Sequence, residues 1–303
     1  MTIRPLLEAA APARVVIFLS GSGSNAERIL ESWRRADGNA PFTPVALVTD
    51  APDTSRAADL ARSFDLPLVA RDIRAFYRDH GETRVSLATD TGRRLRREWT
   101  DLLRGDLREF RPDFGVLAGF VPLTNLTGDF PCLNVHPGDL LYLRDGRRYL
   151  VGLHTVPVER AILEGLTSLR SSVIQALPYT GGGGDMDNGP LLGISEPVPV
   201  DLKGEELQHL HACRETRPPA RPRGGYGDAL EAVAALNLER LKRMGDWVVF
   251  PKVVHDFAGG RFGTDSTGGL WYRLSNRWQP VETVVYGEHT REILFRSPAG
   301  GLP

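Results

Sequence analysis

The sequence predicts an α/β protein: a Rossmann-like, mostly parallel, doubly wound sheet with a C-terminal extension of helix and small β structure. Three observations carry this. Residues 15–19 (VVIFL) are a continuous β-prone run, the pattern of a strand buried on both faces. A glycine turn, residues 20–25 (SGSGSN), and a helix-periodic stretch, residues 26–33, follow it directly. The alternation then continues through a strand at 44–50, a helix at 55–64 and a short strand at 66–70. That βαβαβ order implies a parallel sheet with ligands at the C-terminal ends of its strands.

Composition narrows the partners. The chain has 303 residues, of which 41% are hydrophobic, enough to fill a substantial core. The formal net charge of -1 and the absence of long single-sign blocks argue against nucleic acid or an anionic membrane as a bulk partner. Two cysteines, Cys132 and Cys213, are too few for a disulfide framework or a thiolate metal cage. Pro5, Glu8 and Arg14 interrupt the apolar residues near the start, so no signal peptide or membrane span is expected. The expected location is cytoplasmic.

The elements follow in order. Residues 1–13 read as a loose leader, and residues 14–200 as the catalytic α/β domain. Residues 71–111 are rich in Arg, Asp and Glu and contain one amphipathic helix, at about 91–110, whose arginines read as a solvated face. Strands are expected at 114–120 and at 133–136, the second stopped by Pro137 and Gly138. Residues 144–148 (RDGRR) form a polar turn, and residues 155–165 a helix closed by glycine. Another strand at 171–177 leads into four consecutive glycines, 181–184, which lose much chain entropy on ordering. Residues 191–200 read as a last strand at a sheet edge, because they carry Pro197 and Pro199. Residues 201–227 read as an inserted polar loop region. Residues 228–303 supply a long helix at about 228–244, a helix or strand at 247–257, and a β appendage from 268 onward.

Two motifs carry chemistry. Gly21, Gly23 and Ala26 match the glycine spacing of a dinucleotide fingerprint, and Asp50 ends the next strand at a suitable distance. Ser22, Ser24 and Asn25 add donors that suit a terminal phosphate at a helix start. Asn134 and His136 sit two apart in a strand, so they face the same way. Histidine titrates near neutrality, and asparagine can stabilise an oxyanion without changing charge. Asp187 and Asp185 compete as the acidic partner, although Asp beside Gly also serves as a simple turn residue. His209, His211 and Cys213 lack an evident fourth ligand, and no metal is expected.

Residues 15–30, 112–123, 133–140, 152–165, 187–192 and 248–262 together resemble the folate-dependent formyltransferase family, most of all its glycinamide-ribonucleotide branch. The Asn134–Val–His136–Pro137 piece is the most specific, and the likeness covers roughly residues 14–261. The resemblance implies formyl transfer from 10-formyltetrahydrofolate, as co-substrate, to an amine of a small phosphorylated acceptor, within one-carbon metabolism and purine biosynthesis. It implies that Asn134, His136 and Asp187 are catalytic. Gly21, Gly23, Ser24, Asn25 and His154 would then bind the acceptor; Phe120, Val121, Pro122, Leu123 and Asp185 would bind the folate. It involves no nucleic acid or membrane and is compatible with a homodimer. This chain departs from the family's pattern at Gly138 and Asp139, at Pro122, which has no N–H to offer, and at Ile174. A formyltetrahydrofolate hydrolase, a sugar or aminoacyl formyltransferase, a nicotinamide-dependent dehydrogenase and a non-catalytic ligand sensor all remain open.

Overall fold

The apolar run after Arg14 lies at the centre of a parallel block. The computed structural model describes residues 2–153, 155–179, 186–222 and 224–296. Twelve strands form one mixed sheet: β1 (Arg4–Pro5), β2 (Ala13–Phe18), β3 (Phe42–Thr49), β4 (Leu68–Ala70), β5 (Phe114–Leu117), β6 (Cys132–His136), β7 (Ser172–Ala176), β8 (Leu191–Ser195), β9 (Phe262–Thr264), β10 (Leu270–Leu274), β11 (Arg277–Tyr286) and β12 (Arg291–Phe295). Strands β4, β3, β2, β5 and β6 are parallel neighbours in that order. β7 then pairs antiparallel with β6, β8 antiparallel with β7, and β11 parallel with β8.

The period of two along β2 explains why both faces are covered. Val15 and Ile17 point into one core, with α1 (Ser24–Arg35), α2 (Ala57–Phe64) and α8 (Trp247–Ala258). Val16 and Phe18 point into the other, with α3 (Ile73–Asp79) and α4 (Asp90–Leu107). In α1 the buried residues Ala26, Ile29 and Leu30 recur at helical spacing, with Glu27 in the first turn and Arg34 and Arg35 in the last, as the helix dipole favours. A further core joins α5 (Val156–Leu163), α6 (Leu207–Thr216) and α7 (Ala229–Leu241). No helix among the described residues is long and apolar enough to cross a membrane.

Several local expectations change. The leader is not loose: β1 pairs with β9, and the Leu6 N–H donates to the Phe262 carbonyl at 2.9 Å. The stretch after Arg71 holds two helices rather than one, α3 being capped by the Asp72 side chain. β8 is central rather than an edge, because Pro197 and Pro199 lie beyond its end at Ser195. The segment after residue 268 extends the main sheet through β10, β11 and β12. The polar region at 201–227 contains α6. The places of β1, β8 and β10–β12 are set by pairing with residues distant in sequence, which local periodicity does not report, whereas the Asp72 cap of α3 is local.

Candidate active site

Strand β6 brings Asn134 and His136 to one face. The antiparallel register sets Asn134 opposite Ile174 and His136 opposite Ser172. Asn134 is half-buried, and its side-chain amide makes no hydrogen bond to the described residues. His136 is 4% exposed, with its Nε2 2.8 Å from the Leu150 carbonyl oxygen. A carbonyl only accepts, so Nε2 carries the proton and Nδ1 keeps its lone pair in the neutral ring. The close approach of Leu150 needs glycine at 138, where a Cβ would overlap that same carbonyl oxygen. Arg160 Nη1 fixes the segment from both sides, donating to the Tyr149 and Val151 carbonyls at 2.8 Å each.

Asp187 enters from a single 3-10 turn, Met186–Asn188, and its Oδ2 stands 3.9 Å from His136 Nδ1. Arg148 latches this turn by donating to the carbonyls of Asp187 and, at 3.0 Å, of Gly189. Burial pushes His136 below its ordinary pKa, Asp187 and the Leu150 carbonyl pull it up, and the Arg148 charge pushes it down. Burial dominates, so the resting imidazole is neutral, with a basic Nδ1 turned toward a carboxylate. This arrangement can take up one proton and hold it as an ion pair.

The glycine turn forms the second part of the site. Gly23 caps α1 in the left-handed conformation, φ 65°, and a Cβ there would meet Leu19 and Leu60. The first bond of the α1 ladder runs from the Glu27 N–H to the Gly23 carbonyl at 2.8 Å, so the N–H groups of Ser24, Asn25 and Ala26 precede it. Arg56 braces the turn: its backbone N–H donates to the Gly21 carbonyl and its guanidinium to the Ser22 carbonyl. The Asn25 side chain is committed elsewhere, donating to Asp246 Oδ2 at 3.2 Å. Asp246 also accepts from Ser171 Oγ at 2.5 Å, and burial raises its pKa to about 6.

A cavity of about 440 Å³ lies beside the turn, lined among others by Ser20, Asp50, Arg74, Arg96, Val121, Pro122 and Leu123. Val121 is 70% exposed, and its N–H donates to Ser20 Oγ at 2.8 Å. Phe120 turns away from the cavity and packs against Phe18 and Trp99. Arg96 is only 4% exposed; its Nη1 donates to the Leu123 carbonyl at 2.9 Å while its Nε has no hydrogen-bond partner among the described residues. Asp50, the acid a dinucleotide would need free for a ribose, accepts from Ser20 Oγ and is buried, which raises its pKa.

The geometry therefore gathers Asn134, His136 and Asp187 in one group, and Gly21, Gly23, Ser24 and Asn25 in another. Val121, Pro122 and Leu123 reach the cavity, and Phe120 does not. His154 and Asp185 lie outside the described residues. Sequence reasoning missed Arg148, which reads as one member of a polar turn, and Arg96, which reads as part of a solvated arginine run. It also missed Asp246, the last residue of a π-helical turn, Lys242–Asp246, between α7 and α8. His209 is held by Glu205 and approaches Cys213, one turn further along α6.

A parallel block wound with helices on both faces and closed by antiparallel strands defines a Rossmann-like α/β fold. Solved formyltransferase structures share it. The chain is similar to glycinamide ribonucleotide transformylase 1 of Symbiobacterium toebii, at 21% identity and a TM-score of 0.51, over 84% of this chain and 91% of that one. It is similar to phosphoribosylglycinamide formyltransferase of Coxiella burnetii, at 18% identity and a TM-score of 0.55, over 91% and 99%. The corresponding enzyme of Anaplasma phagocytophilum gives 17% identity and a TM-score of 0.53, over 90% and 98%. No protein-family model matches the chain, and none of the curated proteins matches it.

Proposed function

We propose that the protein is a formyltransferase that moves the formyl group of 10-formyltetrahydrofolate to an amine on a small phosphorylated acceptor of the glycinamide ribonucleotide kind. The observation that carries this is the group around β6: a buried His136 facing Asp187, with the Asn134 amide, which makes no hydrogen bond among the described residues, on the same strand face. The fold shared with phosphoribosylglycinamide formyltransferases supports the same reading.

In this mechanism the acceptor amine attacks the formyl carbon and a C–N bond forms. The formyl oxygen takes the negative charge, and the Asn134 Nδ2–H donates to it. The proton lost by the amine passes to His136 Nδ1, where Asp187 stabilises the imidazolium. Collapse breaks the bond to folate N10, which leaves with a proton returned from His136. The catalytic contribution is positioning plus oxyanion stabilisation, without a covalent enzyme intermediate. The free N–H groups at the start of α1 suit the acceptor's phosphate. The cavity wall of Val121, Pro122 and Leu123 suits an apolar ring system, and the buried Arg96 guanidinium suits a carboxylate at its far end.

The test is to incubate the protein with 10-formyltetrahydrofolate, with and without glycinamide ribonucleotide, and to measure tetrahydrofolate, formylated product and free formate. Product that depends on the amine supports the reading. Formate released at the same rate without the amine would make the protein a hydrolase instead.

A further inference from the structure

The phosphate proposed for the α1 turn and the Asp246 carboxylate share one residue, Asn25. Its backbone N–H is one of the three that precede the α1 ladder, and its Nδ2 donates to Asp246 Oδ2 at 3.2 Å. Ser171 Oγ donates to the other carboxylate oxygen at 2.5 Å. Asn25 Oδ1 is buried and has no hydrogen-bond partner among the described residues. The charges on the elements packed around this acid are matched by one another. Lys242 pairs with Glu239 where α7 ends, Arg28 with Glu31 and Glu27 with Arg56 at α1, and Arg170 beside Ser171 with Asp139. Among the described residues Asp246 itself forms no ion pair. Burial raises the pKa of this acid, Ser171 and Asn25 draw it back, and the opposed charges of Lys242 and Glu239 act least.

A phosphate dianion on the backbone side of Asn25 is a like charge close to a buried carboxylate held by two neutral donors. Like charges disfavour the ionised form, and burial weakens the screening between them. We propose that Asp246 is a positioning residue for the acceptor, taking up one proton from solvent when the acceptor's phosphate settles on the α1 turn. The inference rests on the acceptor assignment above. The proton goes to a carboxylate oxygen, and no bond of the acceptor forms or breaks. Neutral Asp246 carries a donor, and a half-turn of the Asn25 amide brings its orphaned oxygen opposite that donor. The occupied turn binds the proton more tightly than the empty one. Acceptor affinity is therefore highest at low pH and falls as pH rises through and above about 6.

The experiment titrates glycinamide ribonucleotide into the protein by calorimetry, in pairs of buffers with different ionisation heats, across the range in which Asp246 titrates. The unaltered protein is compared with Asp246→Asn and Ser171→Ala. The ligand's own phosphate also titrates near pH 6, but equally for all three proteins, so it cancels in the comparison. The unaltered protein should take up a fraction of a proton more than Asp246→Asn. Its affinity relative to that variant should fall about tenfold as pH rises through the window, the equivalent of one pKa unit. Ser171→Ala removes a donor that favours the charged carboxylate, so the same window should move to higher pH. Equal proton counts and parallel pH profiles for the unaltered protein and Asp246→Asn would overturn the role of Asp246 alone. If Asp246→Asn does not fold, Ser171→Ala decides: a window that moves up supports the role, and one that stays in place overturns it. Failure of the unaltered protein to bind glycinamide ribonucleotide at any pH would overturn the acceptor assignment and the role of Asp246 together.

Discussion

Asn25 and Asp246 are 221 residues apart in the chain, and the Asn25 amide donates to the Asp246 carboxylate at 3.2 Å. The same carboxylate accepts from Ser171, the neighbour of the residue that pairs with His136 across the sheet. One buried acid thus ties the glycine turn to the strand beside the proposed catalytic group.

That acid should mark the pH dependence of stability. Burial raises Asp246 from 3.8 to about 6, so the folded state binds its proton more tightly than the unfolded chain does. Its favourable contribution is complete below about pH 4 and is lost as pH rises through about 6, a change of roughly 3 kcal/mol. Urea unfolding of the protein and of Asp246→Asn across this range should show the variant gaining relative stability as pH rises. A stability difference that stays constant with pH would count against it.

His136 should act as a base with a depressed pKa. Burial is the main cause, so the acid limb of kcat/KM for formyl transfer should fall below about pH 6.5. Arg148→Met removes a positive charge that lowers His136 and should move that limb toward neutral pH. Because Arg148 also holds the Asp187 turn, the variant should lose activity as well. An unmoved limb would leave Arg148 a purely structural role.

Asn134→Ala should lower kcat by about 10²–10³ with little change in KM, the usual loss for one oxyanion donor. The side chain makes no hydrogen bond within the described structure, so the melting temperature should hardly move. Steady-state kinetics beside a thermal melt checks both halves.

Arg217 anchors the helices around α6. Its side chain is 3% exposed and donates to Glu159 at 2.5 Å and to Asp228 at 2.6 and 2.8 Å. Arg217→Met leaves Glu159 buried without its partner and should destabilise the protein by about 3–5 kcal/mol. Adding Glu159→Gln should recover part of the loss in the same denaturant titration.

The parallel block, and the residues from which the proposed site is built, were legible in the order of the amino acids. Continuous apolar runs report strands buried on both faces, the glycine turn reports a helix start able to receive an anion, and Asn134 and His136 two apart report a shared face. These signals are local, because strand period and turn chemistry are properties of adjacent residues. Tertiary structure alone decided that the C-terminal strands continue the main sheet, that Leu150 fixes the His136 tautomer, and that Arg148, Arg96 and Asp246 border the site. Those facts depend on which distant groups are brought within hydrogen-bond reach and removed from water. An arginine in a polar run and an aspartate in a helix look the same in sequence whether solvated or buried; only packing distinguishes them.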